Sequence, residues 1–281
     1  MKVFKLNLLD KETEFGFMPT LTAYILDGSR TIQKEDRPAV LVIPGGGYAH
    51  VSPREGERIA LSYNAAGFHA FILDYCVKPH CHPLPILNAA RSIEIIRENA
   101  KEWRIDADKI AVCGFSAGGH LAASISTLWN DKEIFTDDQI QNKLHKPNAS
   151  ILCYPVITCG DHAHKGSFVN LTGSEVENEL WEKLSLEKRV SKNTPPTFMW
   201  HTFEDSCVPV ENSLLYANSL RENNIPFELH IYPNGEHGTS KASHETFWDL
   251  SMFTCRSYPW IKQSIEWLYI QFGITKVESY A

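Results

Sequence analysis

Lys109-Ile110-Ala111-Val112-Cys113-Gly114-Phe115-Ser116-Ala117-Gly118-Gly119-His120-Leu121-Ala122-Ala123-Ser124-Ile125 joins two kinds of structure at one serine. Residues 109–113 form a short apolar run suited to a buried strand, and residues 119–125 can start a helix. Strand, G-x-S-x-G and helix in that order is the context of a nucleophile elbow. Glycines on either side of Ser116 permit a sharp turn that a Cβ would obstruct. Such a turn lifts the Ser116 hydroxyl clear of a sheet and leaves the Ala117 amide free at a helix N-terminus. The same pattern also serves as a tight strand-to-helix turn in which the serine only caps the helix. Three other segments decide between these readings.

On both sides of the elbow, apolar β-rich runs alternate with helical patterns, which is the α/β signature. Residues 20–26 and 39–43 read as strands, the second ending at Pro44. Residues 55–66 read as a helix closed by Gly67, and residues 68–75 as the next strand. Between 83 and 103 apolar residues recur at helical spacing (Ile86, Ala89, Ala90, Ile93, Ile96, Ala100). Beyond the elbow come a strand at 150–156, another at 197–201, a helix at 210–223, a strand at 227–232 and a closing amphipathic helix at 260–272. The interval 157–194 is irregular and polar, with a short helix around 176–184, and reads as a lid-like insertion over the strand ends. Neither repeats nor an interdomain linker interrupt the pattern, so residues 1–281 read as one domain. Right-handed crossovers would then place the loops after the parallel strands on one edge, where catalytic groups belong.

A chain of 281 residues is long enough for a full core, and 43% hydrophobic with 22% charged residues is the composition of a globular protein. A net charge of -7 disfavours nucleic acid and anionic membranes as partners and favours small neutral molecules. The first ten residues lack an apolar segment followed by a small-residue cleavage site, so no signal peptide is read there. Nor does any stretch approach the ~20 apolar residues of a membrane span. Seven cysteines (76, 81, 113, 153, 159, 207 and 255) show no framework spacing, and Cys113 and Cys153 sit in strand-like runs as reduced core residues. These features together predict a cytoplasmic protein.

Three segments carry chemistry that matches Ser116. Ile43-Pro44-Gly45-Gly46-Gly47-Tyr48 follows a buried strand, and its glycines let backbone N–H groups approach a ligand. The amides of Gly46, Gly47 and Ala117 are placed to hold the oxyanion of a tetrahedral intermediate. A phosphate-binding loop is disfavoured, because neither G-x-x-x-x-G-K-[ST] nor G-x-G-x-x-G is present. His201-Thr202-Phe203-Glu204-Asp205-Ser206-Cys207-Val208-Pro209 follows a later strand, and either Glu204 or Asp205 could orient an imidazole. Pro233-Asn234-Gly235-Glu236-His237-Gly238 follows the last strand and sets His237 among turn formers, as suits a general base near neutral pH. His230 alternates with Leu229 and Ile231 within a strand and reads as structural, while His201 and His244 are outside candidates. Serine, acid, histidine is the chain order of one particular hydrolase fold.

With these segments in view, the chain resembles an α/β-hydrolase of the esterase/lipase group, and closely its acetyl-esterase and acetylxylan-esterase-like branch. The resemblance runs from about residue 20 to 270. It is carried by Pro44-Gly45-Gly46-Gly47-Tyr48, Gly114-Phe115-Ser116-Ala117-Gly118-Gly119-His120-Leu121, Tyr154-Pro155-Val156-Ile157, Pro195-Pro196-Thr197-Phe198 with Asp205 and Val208-Pro209, and Gly235-Glu236-His237-Gly238. It implies a mostly parallel sheet with helices on both faces, Ser116 as nucleophile, Asp205 rather than Glu204 as acid and His237 as base. It also implies no metal or organic cofactor. Pro44 departs from the histidine that hormone-sensitive-lipase-type relatives carry before the glycines, which leaves open what supports the loop.

The substrate implied is a small ester with a short acyl group, acetyl foremost, on a sugar or oligosaccharide. Tyr48, Trp181 and Trp200 are candidates for a sugar platform, with core packing as the competing reading for each. His80-Cys81-His82 and Asp161-His162-Ala163-His164 contain metal-ligand residue types but no full ligand set at coordinating spacing. The rivals are a prolyl-oligopeptidase-like serine peptidase and a non-catalytic binding protein on a hydrolase scaffold. The closing helix and exposed aromatics permit a homodimer without requiring one.

Overall fold

Leu41 and Ile43 pack into one hydrophobic cluster while Val40 and Val42 pack into another, so a single strand is buried on both faces. The same division separates Ile110 and Val112 from Ala111, Cys113 and Phe115 on a neighbouring strand. Strands apolar on both sides belong at the centre of a parallel sheet covered by helices front and back. The computed structural model describes residues 1–28, 36–246, 257 and 259–274, and Cys255 lies outside them.

Eight strands form one sheet among the described residues: β1 (Lys2–Asn7), β2 (Thr20–Ile25), β3 (Arg37–Ile43), β4 (His69–Asp74), β5 (Ile105–Phe115), β6 (Ala149–Cys153), β7 (Thr197–Thr202) and β8 (Phe227–Tyr232). Their spatial order is β1-β2-β4-β3-β5-β6-β7-β8. The first two pairings are antiparallel and the other five parallel. The helices are α1 (Glu57–Ala65), α2 (Leu84–Glu98), α3 (Ala100–Trp103), α4 (Ala117–Leu128), α5 (Asp137–Asn142), α6 (Lys165–Thr172), α7 (Glu179–Lys183), α8 (Glu211–Glu222) and α9 (Trp260–Gln271). Side chains of α2, α4 and α8 join one cluster; those of α1 and α9 join the other.

Register is what builds the working edge. Ile43 lies opposite Gly114, Phe115 opposite Cys153, Cys153 opposite Trp200, and Thr202 opposite Tyr232. The carboxyl ends of β3, β5, β6, β7 and β8 therefore come level, and the loops that leave them share one rim. No described helix is long and apolar enough to cross a membrane.

Several expected boundaries shift. The helix expected from residue 55 begins at Glu57, because Pro53–Glu55 form a separate 3-10 turn with Glu55 buried. The run at 83–103 is broken at Asn99, whose side chain donates to Ile95 O beside its own backbone amide. The strand expected to reach residue 156 stops at Cys153, since Tyr154 adopts φ 37° and turns the chain. In the interval 157–194, α6, α7 and a 3-10 turn (Leu186–Lys188) bury Phe168, Leu171, Trp181, Leu184 and Leu186 against the main cluster. Asn212 of α8 ties the start of this insertion down, accepting from the Ile157 and Thr158 amides and donating to His162 O.

Candidate active site

Ser116 stands between β5 and α4 with φ 53° and ψ −120°, a conformation that costs a non-glycine residue about 1–3 kcal/mol. Its surroundings hold it there. The Ser116 N–H donates to Cys153 O at 3.0 Å, and Ser116 O accepts from His120 N and Val156 N. The flanking glycines are required by close approach. A Cβ on Gly114 would lie 2.2 Å from Gly118 O, and one on Gly118 would lie 2.2 Å from Ile43 O and 2.3 Å from Pro44 O. Gly119 is equally confined, 2.8 Å from Pro155 Cβ. Helix α4 is buried along its whole length, and its small residues let it press directly onto the sheet.

The loop after β8 returns His237 over this turn. Ser116 Oγ donates to His237 Nε2 at 2.7 Å, and His237 Nδ1 donates to Asp205 Oδ2 at 2.6 Å. With its proton on Nδ1, the imidazole keeps the lone pair on Nε2 facing the serine hydroxyl. Asp205 is held from the other side: Oδ1 accepts from Val208 N at 2.8 Å and Cys207 N at 3.0 Å. Burial alone would push this carboxyl up, but hydrogen bonding to His201 and His237 outweighs it and holds Asp205 well below the usual carboxylate range. His201, fully buried, donates from Nε2 to Val208 O at 2.8 Å while facing Asp205 Oδ2 at 3.3 Å, so it braces the acid from behind. Glu204 points elsewhere, accepting from Asn234 Nδ2 and Gly235 N. Of the two adjacent acids, only Asp205 touches the imidazole.

The glycine loop meets the same point. Gly46, Gly47 and Tyr48 all have positive φ (123°, 64° and 56°), which curls the chain around Ser116. Among the described residues the amides of Gly46 and Gly47 have no hydrogen-bond acceptor, and Ala117 opens α4, where none exists within the helix. Support for the loop, left open by Pro44, comes from two groups. Tyr75 Oη donates to Pro44 O at 2.8 Å, and the buried Glu55 carboxylate accepts the Gly45 N–H at 2.8 Å.

Glu55 and Tyr154 are the residues that sequence reasoning missed. Glu55 Oε1 accepts from Tyr154 Oη at 2.6 Å, and the Tyr154 ring stands edge-on to His237 with centroids 5.0 Å apart. Burial first, and then the charge of Glu55, raise the Tyr154 hydroxyl well above the ordinary phenol range, so it remains a donor. A glutamate at the start of a helical pattern carries no sign of burial.

The three aromatic platform candidates lie in the core instead. Tyr48, 1% exposed, donates its hydroxyl to His120 Nδ1, and the neutral His120, lowered by burial to about 4, donates from Nε2 to Leu184 O. Trp181 packs on Phe168 and donates to Thr172 Oγ1; Trp200 stacks on Trp260 at 5.4 Å. Tyr48 and Trp181 are buried in the cluster that the insertion joins, whereas Trp200 lies in the cluster on the other face of the sheet, against Trp260 of α9. The two histidine-rich stretches also resolve. His80 bonds Val77 O and Thr13 Oγ1, while His164 pairs with Ser167 Oγ at 2.8 Å. The His164 ring reaches within 4.0 Å of where a Gly47 Cβ would stand, at the rim of the site. Burial, followed by the neighbouring His237, lowers it from the usual histidine range. His230 pairs with Glu228 within its strand, and His244 is exposed. Among the described residues no three His, Cys, Asp or Glu side chains group as a metal site.

Comparison with known proteins adds an independent line. Residues 29–220 match the sequence pattern of the BD-FAE family. The chain is 38% identical over 249 residues to endo-1,4-beta-xylanase B of Butyrivibrio fibrisolvens, covering 87% of this chain and 38% of that protein. It is 32% identical over 206 residues to an acetylxylan esterase of Xylanibacter ruminicola, covering 71% and 40% respectively. The chain thus spans about two fifths of the length of these curated relatives. An acetyl ester-xyloside bifunctional hydrolase from Caldicellulosiruptor lactoaceticus superposes with a TM-score of 0.83 at 39% identity, over 97% of both chains.

Proposed function

The chain belongs to the BD-FAE family and has the α/β-hydrolase fold, and from that footing we propose that it is a serine carboxylic-ester hydrolase removing short acyl groups, acetyl foremost, from small esters such as acetylated sugars and oligosaccharides. The hydrogen-bonded series Asp205–His237–Ser116 carries this reading. His237 Nε2 takes the Ser116 proton as Oγ attacks the ester carbonyl. The developing oxyanion is held by the amides of Gly46, Gly47 and Ala117, each such donor contributing on the order of 10²–10³ in rate. His237 then returns the proton to the departing alcohol, leaving the acyl group on Ser116. Water, deprotonated by His237, attacks the acyl-enzyme, and carboxylic acid leaves with Ser116 restored. Asp205, kept ionised, stabilises the imidazolium that forms in both steps. The activities named for the relatives above support acetyl on xylose-type sugars as the first substrate class to test.

Hydrolysis of a chromogenic acetyl ester that is abolished by Ser116→Ala tests the nucleophile. A panel of acetylated xylo- and manno-oligosaccharides against simple esters of increasing acyl length tests the substrate. Turnover of long-chain lipid esters at rates matching the sugar acetates would defeat the short-acyl reading, and cleavage of a proline-dipeptide substrate would favour a peptidase.

A further inference from the structure

We propose that Glu55, together with Arg54, is a positioning residue that locks the oxyanion loop to the loop carrying the general base; the proposal rests on the esterase reading above. The pair sits in the 3-10 turn Pro53–Glu55 immediately after the glycine loop, which closes on itself through Ser52 N to Gly45 O at 2.9 Å. The two side chains reach in different directions. Glu55, 5% exposed, accepts the Gly45 N–H on Oε2 and the Tyr154 hydroxyl on Oε1, at 2.8 and 2.6 Å. Arg54 donates from Nε to Thr246 O at 2.9 Å and from Nη2 to Gly238 O, the carbonyl next to His237. Ser240 completes the connection: its hydroxyl donates to Arg54 O at 2.7 Å and its amide to Tyr154 Oη at 3.0 Å.

Two consecutive residues therefore join the glycine loop, the turn after β6 at Tyr154 and the loop carrying His237. Gly45 is the sensitive end. A Cβ there would lie 2.6 Å from Phe115 O and 2.9 Å from Ser116 Cβ, so its backbone rests on the nucleophile's own residue. Displacing the Gly45 amide carries the amides of Gly46 and Gly47 away from Ser116. At the other end, Tyr154 limits how far the His237 ring can tilt. Burying a carboxylate is a poor way to fill space, since an apolar side chain of similar volume is usually no less stable. What a carboxylate adds is two short, directional acceptors, each stronger than a neutral one.

The test uses the full chain with Glu55→Gln, Tyr154→Phe and the double variant, beside wild type and Ser116→Ala, on a chromogenic acetyl ester. Glutamine keeps an acceptor for Gly45 but presents an NH2 to a tyrosine oxygen that already accepts from Ser240. For each single variant we expect kcat to fall on the order of 10–100-fold while KM moves less than about threefold. The Ki of a methyl trifluoromethyl ketone, whose adduct with Ser116 places an oxyanion on the same amides, is expected to rise in step with the loss in kcat/KM. The double variant should lose less than the product of the single losses, because both break one connection. Folded Glu55→Gln with kcat within about threefold of wild type, or a loss carried by KM alone, overturns the proposal. If Glu55→Gln fails to fold, Tyr154→Phe decides by the same two readouts. Wild-type turnover that survives Ser116→Ala would instead defeat the esterase reading, and the proposal with it.

Discussion

Replacing Asp205 by asparagine isolates the proton arrangement of the site from its shape. Asparagine has the volume of aspartate and one oxygen able to accept from Cys207 N and Val208 N, at 3.0 and 2.8 Å in the native protein. With that oxygen engaged, the NH2 group faces His237 at the position where Oδ2 now accepts at 2.6 Å. An N–H facing Nδ1 reverses the tautomer: Nδ1 becomes the acceptor and Nε2 carries the proton. The serine hydroxyl, 2.7 Å from Nε2, then meets a donor where it needs a base. A wrong tautomer in such an arrangement costs about 10⁴ in kcat. At 1.36 kcal/mol per decade this is about 5 kcal/mol of barrier, far more than one ordinary hydrogen bond contributes. Stability should fall as well, because a neutral amide forgoes the favourable contacts with His201 and His237 that hold the Asp205 carboxyl low, although the backbone donors stay satisfied. The assay is kcat on a chromogenic acetyl ester at pH 7, with a urea unfolding curve on the same sample. Glu204→Gln serves as the control and should retain turnover within about twofold, as expected of a surface change. Asp205→Asn with kcat within tenfold of wild type would refute the reasoning, since the imidazole would then be oriented by something else.

Gly118→Ala should fold poorly or unfold several kcal/mol more easily, because its Cβ meets two backbone carbonyl oxygens at 2.2 and 2.3 Å, and a denaturant midpoint equal to wild type would contradict this. Acid should weaken the fold before any carboxylate acts. Burial lowers His69 and His120 from 6.5 to about 4 in the folded chain, so their stability contribution is complete above pH 6.5 and is lost as pH falls towards 4, where the unfolded chain already binds the proton. That is about 3 kcal/mol per histidine, read as a falling urea midpoint between pH 7 and 4.5, with a flatter profile in His69→Gln. Asp205 acts in a separate window: its lowered carboxyl supports the fold fully above the ordinary carboxylate range, and that support is lost progressively as pH falls below about 4. Trp200→Phe should lower stability by on the order of 1–3 kcal/mol while leaving KM for a sugar acetate within twofold, and a selective rise in KM would return this ring to the binding surface.

Where the sequence foretold the structure, local pattern and tertiary demand agree. The apolar runs at 39–43 and 110–113 read as central strands, and the glycines around Ser116 are needed for reasons visible in the motif. Ser116, Asp205 and His237 each follow a strand end, so parallel topology alone predicts that they share a rim. What escaped prediction depends on packing between distant segments. β1 lies at the sheet edge, buries no residue and lacks a regular alternation, which weakens its signal; α5 is likewise wholly without buried residues. Tyr48, Trp181 and Trp200 could equally line a cleft or fill a core, and only tertiary packing settles which: the insertion for the first two, α9 for Trp200. Glu55 looks like a solvated helix-start residue until Gly45 and Tyr154, ten and ninety-nine positions away, close on it.

The backbone at position 116 has a consequence for reading other chains of this kind. Its dihedrals belong to territory that glycine enters freely, so the scaffold alone would prefer glycine there by on the order of 1 kcal/mol. On the proposed mechanism, serine stands here to meet a demand that the scaffold does not make. A cousin that has drifted to glycine at this spot would have become sturdier and idle in the same step, and such an exchange can be recognised from its letters alone.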